Sequence, residues 1–236
     1  MTDQKQKELP PQERYREKLF TGSSHSWALE KLKELSAQSL VLDIGPGTGV
    51  MGRLLREQGV TLCDAVEIDE QAREFVKPFY RTTVKSLSEL ELQQYDYVLL
   101  LDVLEHMPYP DQFLQELDPF LKPGGQILIS VPNIAHWSIR FSLLFGRFNY
   151  KHRGILDKTH FRFFTRSSLK EMLCLRQDLS IKEQDATIEP LELILPIWLT
   201  KQYLFQLCSR IRLAMARFIP GLMAFQHLAR VHKRKQ

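Results

Sequence analysis

Cysteine is scarce in this sequence. The three cysteines, Cys63, Cys174 and Cys208, lie far apart in the 236 residues and form no CxxC pair. Their spacing excludes a disulfide framework and a cysteine-based zinc cluster, and it indicates a protein of the reducing cytoplasm. Residues 1–18 are polar and charged rather than apolar, so no secretory signal peptide is predicted there.

Acidic residues are missing from the C-terminal region, residues 193–236. This region carries eight Lys and Arg, whereas the rest of the chain carries 24 basic and 28 acidic residues, so the two parts have net charges of +8 and −4. A mildly acidic body with a basic C-terminal region predicts an anionic partner for that region, such as an anionic membrane surface. No recognised nucleic-acid motif accompanies the charge, so no specific nucleic-acid partner is predicted.

A long apolar run is missing from the same region. Pro196, Lys201 and several glutamines interrupt it before 18 apolar residues accumulate, which excludes a transmembrane span there.

The chain does contain an alternation of strand-like and helix-like segments. Strands are predicted over residues 39–44, 62–68, 82–84, 95–101 and 126–131, and helices over 27–35, 50–58, 70–76 and 111–121. Ser24 or Ser26 is available to cap the first helix, and Asp111 is placed to cap the fourth. Short connections between alternating elements predict a parallel sheet covered on both faces. Beyond Pro132, we predict a helix over 167–176, strands over 179–188 and 224–231, and a helical stretch over 193–218 interrupted at Pro196.

A glycine-rich loop follows the first predicted strand, in the stretch VLDIGPGTGV over residues 41–50. No lysine follows its glycines, so it lacks the GxxxxGK[ST] pattern of a nucleoside-triphosphate loop. The dinucleotide letters GxGxxG run from Gly47 to Gly52, but residues 43–46 separate them from the strand that such a fingerprint follows directly. The better parse is Asp43-x-Gly45-x-Gly47-x-Gly49, with an acid at the end of the strand.

Asp43 ends the first predicted strand and Glu67 ends the second. S-adenosylmethionine (SAM) carries an ammonium and a sulfonium that Asp43 can attract, and backbone amides of the glycine loop can approach its carboxylate at the next helix N-terminus. Glu67 is placed to accept hydrogen bonds from both ribose hydroxyls. Alternatively, Asp43 only fixes the loop and Glu67 caps the next helix; the two acids at this spacing favour the ligand.

Five stretches together resemble the class I SAM-dependent methyltransferases: VLDIGPGTG, VEID, DYVLLLDVLEH, LKPGGQILISVPN and RGILDKTHFRFFT. The resemblance covers residues 15–176 and points to the bacterial branch found among quinone and cell-surface glycan O-methyltransferases. It implies a doubly wound, mostly parallel α/β sheet of seven strands in the order 3-2-1-4-5-7-6, with the last strand antiparallel. The implied organisation is a polar leader over residues 1–20, a methyltransferase core over 21–190, an amphipathic helical insertion over 191–223, and a last core strand with a basic tail over 224–236.

The resemblance also implies cofactor contacts after the third and fourth strands. Relatives usually have an aspartate after strand three that binds the adenine amino group, whereas Ser86 stands there in this chain. Backbone amides would then supply part of the adenine contact. Leu101 and Asp102 are expected to line the methionine end of SAM.

The candidate catalytic groups are His106, Asp157 and His160. Transfer to a hydroxyl benefits from a base, and we predict His160 as that base, with Asp157 as its orienter or as a substrate ligand. A purely structural pair of Asp157 and His160 is the alternative. In quinone-pathway relatives an acid-x-x-Glu-His set can hold a divalent cation; Asp102, Glu105 and His106 match it, but no metal is predicted, because His106 can simply pack below the cofactor.

The helical stretch over residues 204–218 has apolar side chains on one face and glutamines and arginines on the other. Packing on the protein's own core or dimerisation is the first expectation for this face, and contact with a membrane interface is the second. The predicted activity is methyl transfer to a hydroxyl of a lipid-linked or cell-surface glycan precursor, in the cytoplasm or at the inner face of the membrane. The alternatives are an O-methyltransferase for a quinone or other small molecule, and a catalytically weak SAM-binding scaffold that recruits partners through its basic tail.

Overall fold

The computed structural model describes residues 19–235, so the predicted polar leader lies almost entirely outside the described residues. The strands are β1 Val41–Ile44, β2 Cys63–Val66, β3 Thr82–Val84, β4 Tyr95–Leu101, β5 Leu121–Pro132, β6 Leu179–Ala186 and β7 Gln226–Lys233. The helices are α1 Ser24–Lys31, α2 Val50–Glu57, α3 Glu70–Val76, α4 Pro110–Glu116, α5 Trp137–Leu144, α6 Arg166–Cys174, α7 Ile197–Thr200, α8 Tyr203–Phe218 and α9 Pro220–Met223.

The seven strands form one sheet in the order β3-β2-β1-β4-β5-β7-β6. Strands β1 to β5 pair in parallel, and β7 runs antiparallel to both β5 and β6. The predicted strand order and the antiparallel last strand are therefore confirmed. Because the carboxyl ends of parallel strands meet at one edge of a sheet, the segments that follow β1 to β4 lie side by side.

The core consists of two apolar layers, one on each face of the sheet. Alternate residues of the central strands enter opposite layers: Leu42 and Leu100 pack in one, Val41 and Leu99 in the other. This alternation explains why β4 reads as an unbroken apolar run, since a strand covered on both faces has no solvent side.

The predicted helix caps are wrong in two places. Ser23, rather than Ser24 or Ser26, caps α1 by accepting a hydrogen bond from the Ser26 amide. Helix α4 begins at Pro110, whose fixed φ suits the first helical position, and Tyr109 is its N-cap residue. Asp111 instead lies in the first turn, where its charge favours the helix dipole.

Strand β5 is longer than predicted. It begins at Leu121, five residues before the predicted start at residue 126, and its register against β4 is irregular between Tyr95 and Tyr97. At this junction Gly125 has no room for a side chain, since a Cβ would lie 2.9 Å from the Leu121 side chain and from a backbone oxygen. The glycines therefore allow close packing of backbone within the strand.

Helix α8 lies on the body through its less apolar face. Ser209 and Ala216 are buried, and ion pairs hold Arg212 to Glu189 (2.6 Å) and Arg217 to Asp185 (2.7 Å). The apolar stripe faces solvent, so the expectation that it packs on the protein's own core is wrong. Between residues 19 and 235, no helix is both long enough and apolar enough to cross a membrane.

Candidate active site

The loop between β1 and α2 is built on three glycines in the left-handed region. Gly45, Gly47 and Gly49 have φ of +65°, +59° and +70°, which residues with a Cβ rarely adopt. A Cβ on Gly49 would also lie 2.8 Å from the ring of Phe79. Glycine is thus required at these positions, and the loop brings bare backbone to the N-terminus of α2.

Asp43 lies at the end of β1 beneath this loop and is buried. Its carboxylate accepts a 2.5 Å hydrogen bond from the Tyr80 hydroxyl, which in turn accepts one from the Gly52 amide at 3.1 Å. Burial raises the pKa of Asp43 to about 7, against the hydrogen bond from Tyr80, and the nearby Glu67 raises it further. The site therefore contains an acid that is poised to ionise when a cation arrives.

Tyr80 was not recognised from the sequence. It lies in an irregular stretch between α3 and β3 and has no motif around it. It also explains the last glycine of the GxGxxG letters: a Cβ on Gly52 would lie 2.3 Å from the Tyr80 ring. Gly52 therefore serves helix packing on an aromatic ring.

Glu67 follows β2 and is buried beside the glycine loop. Its carboxylate accepts hydrogen bonds from the amides of Gly47 (3.3 Å) and Asp69 (3.0 Å). The helix cap is Asp69, which accepts from the Ala72 amide at 2.8 Å, so the alternative that Glu67 caps α3 is wrong.

Asp102 and Ser86 occupy the same sheet edge after β4 and β3. Asp102 has φ of +60°, the one positive value outside glycine in the described part of the chain, and its carboxylate accepts a hydrogen bond from Ser130 at 2.7 Å. Leu101, just before it, is buried. Ser86 precedes a short 3₁₀ turn and exchanges a 2.8 Å hydrogen bond with Ser88.

Two histidines meet next to this edge. His106 ends a 3₁₀ turn after β4, His160 lies in the loop before α6, and their ring centroids are 4.8 Å apart. The loop is tied down by the backbone oxygen of Glu105, which accepts from the amides of Phe161 and Arg162 at 2.8 and 3.0 Å. The two sequence stretches that held the candidate catalytic residues are therefore neighbours in space.

The Nδ1 atom of His160 lies 3.1 Å from the Ile155 carbonyl oxygen, and the Nδ1 atom of His106 lies 3.3 Å from the Thr159 carbonyl oxygen. Since a carbonyl can only accept, Nδ1 of His160 carries the proton and its Nε2 carries the lone pair. Burial lowers the pKa of His160, and the neighbouring His106 lowers it further.

Asp157 and His160 are joined through the backbone, since the His160 amide donates to the Asp157 carbonyl oxygen at 3.1 Å. The Asp157 carboxylate accepts hydrogen bonds from the Thr159 amide (2.9 Å) and hydroxyl (2.7 Å), and the Ile155 carbonyl orients the His160 ring. Asp157 shapes the loop that carries His160 and contributes a negative charge near it.

One ligand atom from each of Glu105, His106 and His160 could converge on a cation, since these atoms lie within 4.8 Å of one another. This set differs from the acid-x-x-Glu-His set of the sequence, because His160 replaces Asp102. Two imidazoles and a carboxylate suit a divalent transition metal.

Comparison with known families decides the identity of this fold. Residues 14–181 match a family described as a methyltransferase domain, which is more than half of the chain. The chain is a class I SAM-dependent methyltransferase. Its strand order and its glycine loop with flanking acids are those that the sequence resemblance implied.

The curated relatives of this methyltransferase include enzymes named for ubiquinone biosynthesis. It is 30% identical, over 139 residues, to the ubiquinone biosynthesis O-methyltransferase of Pseudomonas fluorescens strain SBW25, a match that covers 54% of this chain and 59% of that protein. The methyltransferase thus aligns with little more than half the length of this curated relative.

Solved structures share the fold. A SAM-dependent methyltransferase from Archaeoglobus fulgidus is 20% identical with a TM-score of 0.59, over 91% of this chain and 96% of that one. Phosphoethanolamine N-methyltransferase 2 of Haemonchus contortus, solved with SAM, is 17% identical with a TM-score of 0.59, over 90% of this chain and 52% of that one.

Proposed function

We propose that this methyltransferase transfers the methyl group of SAM to a hydroxyl of a lipid-linked or cell-surface glycan precursor. The observation that carries the chemical part is the contact of His106 with His160 next to the cofactor edge of the sheet. The Asp102 carboxylate is close enough to His160 to oppose the lowering of its pKa, which links the methionine end to the histidine pair.

The residues of the loop and the sheet edge fit SAM. The three positive-φ glycines keep side chains away from the loop at the N-terminus of α2, where a carboxylate would bind, and buried Asp43 and partly buried Asp102 would supply negative charge for the ammonium and sulfonium. Glu67 would bind the ribose hydroxyls, Leu101 would line the methionine end, and Ser86 would approach the adenine. Bound SAM supplies an electrophilic methyl group on sulfur.

His160 is the proposed base. Its Nδ1 proton is held by the Ile155 carbonyl, which leaves Nε2 to accept a proton from the acceptor hydroxyl. Because burial and His106 lower its pKa, the ring is neutral at pH 7 and ready to accept that proton. His106 orients the edge of the His160 ring, and Asp157 maintains the loop.

Labelled-methyl transfer from SAM into lipid, glycan and protein fractions of a cell extract tests the activity and finds the acceptor. We expect His160→Asn to lower the rate by about 10²- to 10⁴-fold, the usual contribution of a general base, with SAM binding unchanged. His152→Asn, in the same loop but outside the histidine pair, is the matched control. Binding of SAM without transfer to any fraction would favour the scaffold alternative.

A quinone-type acceptor is the second candidate, favoured by the name of the curated relatives. The labelled product distinguishes the two acceptors. A methylated quinone precursor partitions with small lipids, and neither glycosidase nor mild acid releases the label from it. Loss of activity with a chelator, restored by a divalent metal, would add Glu105 to the catalytic set.

We also propose that an exposed surface on helix α8 is where this methyltransferase reaches its acceptor. Helix α8 turns its apolar face away from the protein, with Phe218 87%, Tyr203 81% and Leu204 67% exposed. Leu207, Ile211 and Met215 continue the stripe, and Ile197 and Trp198 of α7 extend it. An exposed apolar stripe of this length indicates an interaction surface.

The charge around this stripe favours an anionic membrane as the partner. Lys201 and Arg210 flank it and are exposed, and residues 193–236 contain no acid. A second copy of the chain would bring these cations against their own counterparts, which costs free energy, whereas an anionic bilayer attracts them by about 1 kcal/mol each. Arg212 and Arg217 are paired with acids of the body and contribute less.

Co-sedimentation with phosphatidylglycerol vesicles at low salt tests this surface. We expect the intact chain to bind, and a Leu204→Ser, Ile211→Ser, Phe218→Ser variant to remain in solution. The matched control changes Leu92 and Leu175, which are equally exposed but lie elsewhere, to serine. The proposal of a membrane partner would be contradicted by an absence of vesicle binding, or by a dimer that the α8 variant no longer forms. A soluble acceptor would then be the better candidate.

A further inference from the structure

Asp102 is held in its left-handed conformation by β5. Its amide donates to the Ser130 carbonyl (3.1 Å) and hydroxyl oxygen (3.0 Å), and both contacts come from β5. A left-handed conformation at a residue other than glycine costs free energy, so it persists only where the surroundings impose it. An imposed left-handed backbone at the cofactor edge indicates that the orientation of the Asp102 side chain is important for the site.

The carboxylate of Asp102 is fixed by two donors on one oxygen. The Ser130 hydroxyl donates to Oδ1 at 2.7 Å, and the side-chain amide of Gln226 donates to the same atom. Two donors on one carboxylate oxygen leave little freedom of rotation about the side-chain bonds.

Gln226 is itself held rigidly. It is the first residue of β7 and is buried, its amide donates to the Thr187 hydroxyl oxygen at 3.0 Å, and its side-chain oxygen accepts from that hydroxyl at 3.2 Å. The Thr187 amide donates to the Gln226 carbonyl at 3.1 Å. This bonding fixes the side-chain amide plane, so its nitrogen has one direction in which to donate.

We infer that Gln226 is a positioning residue for the cofactor, acting through Asp102. This inference rests on the proposed role of Asp102 at the methionine end of SAM. Gln226 and Ser130 hold the carboxylate in the orientation in which its charge meets the ammonium of the cofactor. The last strand to appear in the sequence thereby contributes to a site that is otherwise built from residues 43–130.

Calorimetric titration with SAM and with S-adenosylhomocysteine tests this role. We expect Gln226→Met to weaken both affinities by about tenfold or more, the usual effect of losing a hydrogen bond to a charged group. Ser130→Ala should act in the same direction. Gln126→Met is the matched control: it removes a side-chain hydrogen bond to Tyr97 from the middle of β5, four residues before Ser130, and should leave SAM affinity unchanged.

A Gln226→Glu variant separates positioning from a merely structural role. At neutral pH its carboxylate faces Asp102 without a proton to donate, and at lower pH the protonated form regains a donor. We therefore expect its SAM affinity, as a ratio to that of the intact chain, to improve as the pH falls from 8 to 5. Thermal unfolding of each variant shows whether the fold is retained.

Failure of the proposed function and failure of the positioning role give different results in these titrations. If the intact chain does not bind SAM, the proposed function fails. If it binds, and the folded Gln226→Met and Gln226→Glu variants bind equally well at every pH, the positioning role is overturned.

Discussion

Asp43 illustrates how a single buried acid can link cofactor binding to pH. Its environment is apolar, with one hydrogen bond from Tyr80 and a second acid, Glu67, nearby. Burial and Glu67 raise the pKa of this carboxyl and the hydrogen bond from Tyr80 lowers it, so that without a cation the pKa is about 7. A positively charged ligand would reverse the balance, because the ionised form would then have a partner.

The first consequence is a pH-dependent affinity. Below pH 7 Asp43 must lose its proton before it can attract SAM, so we expect the affinity to fall by up to about tenfold per pH unit as the pH drops from 7 to 5. Calorimetry at pH 6 and pH 8 measures the change. Asp43→Asn should bind weakly at both values, and equal affinity of the intact chain at pH 6 and pH 8 would contradict the prediction.

The sign for folding is the opposite. Between pH of about 4 and about 7 the folded chain keeps the Asp43 proton and the unfolded chain releases it, because the folded pKa is the higher one. This carboxyl therefore lowers the free energy of unfolding as the pH rises through that window. The raised pKa of Asp43 therefore lowers the free energy of unfolding at neutral pH, and it leaves the carboxyl ready to ionise when a cation binds.

At the scale of the element, α2 depends on one glycine in its first turn. Gly52 donates its amide to the Tyr80 hydroxyl oxygen and leaves no room for a Cβ against that ring. The ring cannot retreat, since it is buried and its hydroxyl is bonded to Asp43. Helix, ring and acid thus form one rigid unit beneath the glycine loop.

We expect Gly52→Ala to lower the free energy of unfolding by about 1–3 kcal/mol through overpacking, and to weaken SAM binding by displacing Tyr80. Chemical denaturation and calorimetry measure the two effects. Gly221→Ala is the matched control, because a Cβ there meets nothing within 4 Å. A variant as stable as the control would show that the Tyr80 ring has room to move.

At the scale of the whole molecule, the fold was predictable and part of the site was not. Strand periodicity and the glycine loop carry local information, so the sheet and the edge with Asp43 and Glu67 followed from the letters. Tyr80 and Gln226 are brought to that edge by tertiary packing, from positions with no motif around them. Ser23 was missed as a cap because Ser24 and Ser26 suit that position equally well. Tyr109 was missed because its side chain makes no capping hydrogen bond and tyrosine is not a preferred N-cap residue.

The folded chain offers a partner less positive charge than the composition of residues 193–236 suggests. Arg212, Arg217, Arg230 and Lys233 belong to the basic region, yet each lies within 4 Å of an acid of the body. Half of the eight cations are therefore neutralised internally, and the count along the sequence overstates the charge offered to a partner. Pairings between residues distant in sequence cannot be read from local composition.

The position of β7 has a consequence for the order in which the molecule is completed. This strand lies between β5 and β6 in the sheet but follows both in the chain, and its first residue is Gln226. A ribosome therefore delivers the glycine loop, the acids Asp43 and Glu67, and the histidines His106 and His160 long before the strand that joins β6 to the rest of the sheet. Until then β5 has no partner on one side, and the nascent chain presents an open sheet edge of the kind that chaperones bind.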